Sequence, residues 1–200
     1  MERMPNERDL VVRGEDWYGR ELGPGTTYSG CTFHDADFTE VVSEGAVFDA
    51  CTFSGVRFNA SRHTDAAFTN CVFRACGFFD TRFERCKVVG SRFERSTFAL
   101  LAVSGGDWSF VGLDGADLRK ASFEGVRLRE AGFTGARLDG ATLTSCDLSG
   151  AALGGVRLKD ADLRGSDLSS LDPLAAEAAG TRIDLEQAAV IAAALGYDVG

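Results

Sequence analysis

Six cysteines and two histidines are the side chains of this sequence with the most chemistry to offer. The cysteines are Cys31, Cys51, Cys71, Cys76, Cys86 and Cys146, and every interval between neighbours is a multiple of five. A zinc site wants pairs such as C-x-x-C or closely spaced histidines, and neither occurs. Disulfides between cysteines stacked on adjacent strands are disfavoured, since side chains pointing the same way present the wrong geometry. His34 precedes Asp35, and His63 is followed by Thr64 and Asp65. A single histidine beside an acid is more often a satisfied structural residue than a general base. No Gly-rich phosphate loop opens a helix and no nucleophile elbow is present. These residues predict no enzyme, no metal and no cofactor.

What positions the cysteines is a repeat. Stepping by five from Tyr28 to Leu168 visits 29 positions, of which 27 are large apolar residues, and no insertion breaks the series. The exceptions are Ser43 and His63. Two residues before almost every one of these positions sits a small residue, with Leu101 the bulky exception, and all six cysteines fall in that small register. They read as small, buried, apolar filler.

A five-residue period fits neither standard element. In a helix it advances a side chain by about 500°, so a stripe would wander; in a strand an odd step flips the face each time. The chain must turn once per repeat, a short extended piece pointing its small and large residues inward while the other residues make the corner. Turning repeatedly in one sense builds a parallel β-solenoid. Ser43 and His63 lie 20 residues apart, as do Cys31, Cys51 and Cys71, which hints at four repeats per coil. A filled interior leaves no pocket of catalytic size.

Composition narrows the partners. The 200 residues are 44% hydrophobic and 26% charged with a net charge of −9, so the chain should avoid nucleic acid and anionic membrane and prefer basic partners. The charged start MERMPNERDLVVRGEDWYG lacks the apolar run of a signal peptide, and no window approaches the roughly 18 apolar residues of a membrane span. A cytoplasmic protein with reduced thiols is expected. The organisation is an N-terminal extension or cap over 1–27, a solenoid over 28–171 and a helical segment over 172–200.

Repeats such as CTFSG, ADLRK, ADLRG and ARLDG resemble the pentapeptide repeat family, whose consensus is A(D/N)LXX. The resemblance implies an all-β fold, a right-handed quadrilateral parallel β-helix of about seven to eight coils with short C-terminal α-helices. Within the family the chain is most similar to the mycobacterial fluoroquinolone-resistance members. The run CTFSGVRFNASRHTDAAFTNC, the absence of projecting loops and the ending GTRIDLEQAAVIAAALGYDVG carry that likeness. It implies a DNA mimic that binds DNA gyrase and inhibits it or protects it from quinolones or natural poisons. A rigid scaffold for another protein is the alternative.

Charge supports only local mimicry. Residues 31–171 hold 19 acids and 16 bases, whereas duplex DNA over a rod of this length carries about 20 charges. The candidate partner-binding acids are Asp35, Asp37, Glu40, Glu44 and Asp49, a run with no Lys or Arg before Arg57, and Asp107, Asp114 and Asp117 in a second base-free stretch. Solvated corner residues are the ordinary alternative. Phe79 and Phe110 lie outside the inward register, and packing against surface neighbours is their ordinary explanation.

The C-terminal segment reads as two helices. Asp172 and Pro173 look like an N-cap and first helical residue, with Gly180 as a stop; a second helix starts at Asp184 with Gln187 completing a capping box, and ends at Gly196. The run AAVIAAAL is apolar all round and needs cover on both sides. One side closes the tube. The other predicts a homodimer through Leu185, Ala189, Val190, Ile191 and Leu195, the alternative being that 172–182 folds back over the helix.

Overall fold

The structure, a computed structural model, describes residues 6–199. The chain turns after each short extended piece and returns to the same side of a four-sided tube once per coil. Side A begins with the strands Asn6–Arg8, Thr27–Ser29, Val47–Asp49 and Ala67–Thr69. Side B runs Val11–Arg13, Thr32–His34, Thr52–Ser54, Val72–Arg74 and Arg92–Glu94. Side C is held by single bridges, Asp16 to Asp37 to Arg57 to Gly77 to Thr97 and, further on, Asp117 to Arg137 to Arg157 to Glu177. Side D carries Glu21–Leu22, Val42–Glu44, Arg62–Thr64, Arg82–Glu84, Ala102–Ser104, Ser122–Glu124 and Thr142–Thr144. All pairings are parallel, so each coil leans on the next through backbone hydrogen bonds.

The register is the one the repeat demands. Phe33 pairs with Phe53, Phe53 with Phe73, and Phe73 with Phe93, each 20 residues on. Their rings stack nearly parallel, Phe33 on Phe53 at 4.9 Å and Phe53 on Phe73 at 5.0 Å, while rings of adjacent sides meet edge to face, as Phe53 and Phe58 do at 5.4 Å. Offset stacks and edge contacts each add about 0.5–1.5 kcal/mol beyond area burial. All six cysteines are free and buried.

Both ends differ from the sequence reading. Residues 6–27, expected as an extension or cap, pair with the following strands and make a coil of their own. Their partners lie 21 residues on, as Glu7 with Tyr28 and Val12 with Phe33. One extra residue, absorbed in the turn Gly23–Pro24–Gly25, interrupts the five-residue step there and hid this coil from a strict period. Trp17 fills an inward position, stacked on Phe38 at 4.6 Å with the Arg20 guanidinium over its other face at 5.0 Å.

At the other end the described residues form one helix, Leu185–Ala194, and the helix expected from Asp172 to Gly180 does not form. That segment continues the tube. The Glu177 amide donates to the Val156 carbonyl and the Arg182 amide to that of Ala161, while the Asp172 carboxylate accepts from the Leu174 amide in a local turn. Pro173 and Ala178 stand where the large inward residues would be, so the apolar period stops although the coil does not.

The coil holding Trp108 is irregular for reasons of volume. Trp108, 1% exposed, is offset by the smaller Val88 and Val103 in neighbouring inward positions. Gly106 precedes it with φ +86, and a Cβ there would lie 2.2 Å from the Cys86 carbonyl oxygen. Leu101 occupies a position filled by Ser61 and Thr81 in the two preceding coils. Next to it, side C carries no bridge between Thr97 and Asp117 among the described residues. A groove of about 660 Å³ opens there, lined by Ser96, Thr97, Ala99, Arg119 and Lys120 among others.

Candidate partner-binding surfaces

The interior polar groups are structural. His63 stacks above Ser43 on side D, with Ser43 Oγ 2.7 Å from Nδ1 and Ser61 Oγ 3.0 Å from Nε2. Ser61 donates its own proton to the Phe58 carbonyl at 2.6 Å. Nε2 must therefore carry the ring hydrogen and Nδ1 must accept from Ser43, so the neutral ring is satisfied with no charge nearby. Burial pushes its pKa down to about 3.

The small register has a chemical as well as a steric rule. Cys51, Cys71, Cys76, Cys86 and Cys146 each point Sγ at the carbonyl of the large inward residue 23 positions back, at 3.2–3.5 Å. Thr81, Ser91, Ser166 and Thr181 put a hydroxyl on the same carbonyl of their own coils at 2.7 Å. Thiol and hydroxyl act as equivalent donors here, a role the reading of the cysteines as apolar filler missed. Burial pushes the Cys76 thiol up to about 12 and the Cys86 thiol up to about 11, so these two stay protonated. No group of three His, Cys, Asp or Glu among the described residues is placed to hold a metal.

The candidate acids do not share one surface. Asp37 and Asp117 lie on side C, Asp49 and Asp107 on side A, Asp114 on side B and Glu44 on side D, while Asp35 and Glu40 occupy corners with φ of 51° and 57°. A period of 20 scatters a linear run around the tube. Several are also engaged. Arg57 of the next coil reaches Asp37 at 2.7 Å and holds its pKa down at about 2. Arg127 reaches Asp107 at 2.9 Å, and Arg119 grips Asp117 at 2.7 Å. Asp49 accepts from the Thr69 hydroxyl and Asp114 from the Thr134 amide.

What the tube concentrates is charge along its axis. Residues 6–56 hold ten acids against Arg8, Arg13 and Arg20, a net of −7. Residues 57–167 hold 14 acids and 16 bases, a net of +2, and residues 168–199 hold five acids and Arg182, a net of −4. The acidic character sits at the N-terminal tip and around the helix.

The helix closes the tube with a polar plug. Asp184 and Gln187 form the expected capping box. Gln187, 5% exposed, also donates through Nε2 to the Leu163 and Ser166 carbonyls at 2.6 and 2.7 Å. Ile183 and Ile191 pack against the last core layer. Of the candidate dimer residues, Ile191 thus faces the tube and Ala189 is half-buried, whereas Leu185, Val190 and Leu195 face outward. Leu185 is 90% exposed, and Leu174 and Tyr197 are exposed as well.

Filled layers, short parallel strands and a turn every five residues define a pentapeptide-type β-solenoid. The family model described as Pentapeptide repeats matches in eight copies over residues 29–62, 111–144 and 143–172. Full-length QnrB1, a plasmid-mediated fluoroquinolone resistance protein, shares the fold with a TM-score of 0.64 at 19% identity, over 96% of this chain and 100% of that one. HetL, a pentapeptide repeat protein involved in heterocyst differentiation regulation from the cyanobacterium Nostoc, gives a TM-score of 0.53 at 17% identity, over 92% and 90%. At such identities the likeness is one of fold. No curated protein sequence matches the chain. No helix among the described residues is long and apolar enough to cross a membrane.

Proposed function

We propose that this protein is a duplex-shaped ligand for the basic DNA-binding groove of a type II topoisomerase, DNA gyrase, which it inhibits or shields from quinolones or natural gyrase poisons in the cytoplasm. The observation that carries the reading is an unbroken rod, about 34 Å long over its seven coils from Tyr28 to Leu168, whose N-terminal coils carry a net of −7. The protein makes and breaks no bond in this role; it competes for a positive surface. Asp35, Glu40 and Glu44, which pair with no Lys or Arg among the described residues, are its leading contacts. The outward face of the helix, through Leu185, Val190 and Leu195, joins two copies tail to tail and leaves an acidic tip at each end. A gyrase supercoiling assay with added protein tests the reading: inhibition or drug protection at low salt is expected, and neither effect with no binding at low salt removes it.

A second reading is favoured by the ion pairs that neutralise Asp37, Asp107 and Asp117. With those acids engaged, the rod serves as a rigid scaffold for a partner held by apolar contact. Salt separates the two, because a charge-steered contact weakens steeply with ionic strength and an apolar one does not.

A further inference from the structure

We propose that the rod contains a joint: a seam on side C, between the coil of residues 91–110 and that of 111–130, opens and closes, while side A, which faces it across the tube, acts as the hinge. At each of the seven other coil interfaces, side C carries three backbone hydrogen bonds. In the preceding interface the Phe78 amide donates to the Thr97 carbonyl, Asp80 to Ala99 and Thr97 to Cys76. In the following one Leu118 donates to Arg137, Lys120 to Asp139 and Arg137 to Ala116. At the seam the equivalent amides, those of Phe98, Leu100 and Asp117, make none of the three. Among the described residues no hydrogen bond or ion pair joins 95–100 to 114–120, and the groove of about 660 Å³ lies there.

The same interface is closed on its other sides. On side A the Trp108 amide donates to the Arg127 carbonyl at 2.8 Å, Phe110 to Arg129 and Arg127 to Gly106, and the Arg127 guanidinium reaches Asp107 at 2.9 Å. Side B keeps the bond from Phe93 to Gly112, and on side D the strand Ala102–Ser104 pairs with Ser122–Glu124. Each coil of a solenoid touches only its neighbours, so resistance to bending is set interface by interface. With one lip unbonded and the opposite wall tied by backbone and ion pair, this interface yields first and bends about side A.

The cause is volume, and it leaves two states close in free energy. Leu101, 2% exposed, stands at the corner after side C in a register otherwise filled by small residues, and its bulk opposes closure. Closure has three bonds to make and the apolar lining of Phe98 and Ala99 to cover. Opening lets water into a layer in which the Trp108 indole N–H is buried without an acceptor. The side C column of rings, Trp17, Phe38, Phe58, Phe78 and Phe98, also ends here, with Leu118 next. The joint thus separates an aromatic half from an aliphatic one. It tilts the acidic N-terminal coils and the helix end relative to one another, so that one rod fits partner surfaces of different curvature.

Two measurements on the full chain test this. In amide hydrogen exchange followed by NMR, Phe98, Leu100 and Asp117 should exchange about a hundredfold faster than Phe78, Asp80 and Thr97, their equivalents one coil earlier; equal protection overturns the seam. Spin labels on Thr39→Cys with Lys159→Cys straddle the seam along side C, and labels on Ser29→Cys with Ser149→Cys do so along side A. Both pairs are six coils apart, about 29 Å, and the six native thiols are buried. Pulsed dipolar spectroscopy should give a broad or two-peaked distance distribution for the side C pair and a narrow one for the side A pair. Two equally narrow distributions mean a fixed gap and overturn the joint. Leu101→Thr places at this corner the residue that the preceding coil carries as Thr81, whose hydroxyl bonds a core carbonyl. In that variant, checked for folding by circular dichroism, the three amides should slow toward their equivalents and the side C distribution should narrow. Fast exchange that persists in the folded variant overturns the volume argument on which the joint rests.

Discussion

His63 is a basic group held inside a tube with no carboxylate to answer it, and that has a consequence in pH. Its folded pKa, about 3, lies below the ordinary 6.5, so the unfolded chain binds the extra proton first. Stability from this residue is complete above about 6.5 and falls as pH drops toward 3, by up to about 1.4 kcal/mol per pH unit. The urea midpoint of the wild type should fall relative to that of His63→Phe as the pH is lowered from 7 to 4; parallel curves would contradict the assignment. The cysteine rule is testable in the same way. Cys71→Ser keeps a donor on the Phe48 carbonyl, as Ser91 already does for Phe68, and should shift the unfolding free energy by less than about 1 kcal/mol. Cys71→Leu overfills the layer and should cost about 1–3 kcal/mol in the same denaturation experiment.

The helix is the element whose two faces do different work. Gln187 satisfies two carbonyls of the last coil and the N-cap amide of Asp184. Gln187→Ala leaves the buried Ser166 carbonyl without its donor, while the Leu163 carbonyl keeps the Ser166 amide, and the expected loss is about 1–3 kcal/mol, read as a lower midpoint in chemical denaturation. Leu185→Asp changes the outward face and should leave the midpoint within about 0.5 kcal/mol. If the helix pairs two copies, the same substitution shifts the mass measured by light scattering at high salt from dimer to monomer. The capping box was legible from Asp184 and Gln187 alone, because it depends on a three-residue spacing. The plug was not, since Leu163 and Ser166 lie more than twenty residues away. The helix expected at Asp172 fails for a related reason: local cap signals there lose to inter-coil hydrogen bonds that no local window contains.

At the scale of the whole molecule, the distribution of charge rather than its total decides what the rod can approach. Reversing Asp35, Glu40 and Glu44 to lysine moves the N-terminal coils from −7 to −1. In a supercoiling assay this should raise the concentration needed for inhibition at least tenfold, while charge reversal at Asp107 and Asp117, already paired with arginines, should change it far less. Equal losses from both sets would point to a diffuse electrostatic contact.

Much of this architecture was written in one dimension. The five-residue step, the small residue two places earlier and the 20-residue recurrence of Cys31, Cys51 and Cys71 are local pattern. A chain that must bury Phe and Leu at that interval has no regular element but a turning tube. Neighbourhood on the surface is another matter. Residues adjacent in sequence leave for different sides, and residues 20 or 21 apart become neighbours, so Asp35 to Asp49 scatter while Asp16, Asp37 and Arg57 meet. The first coil, displaced by one inserted residue, and the side C groove, opened by an interrupted ladder, depend on how coils stack. Only the folded tube could decide them, because stacking is a relation between turns of the chain and not a property of any one turn.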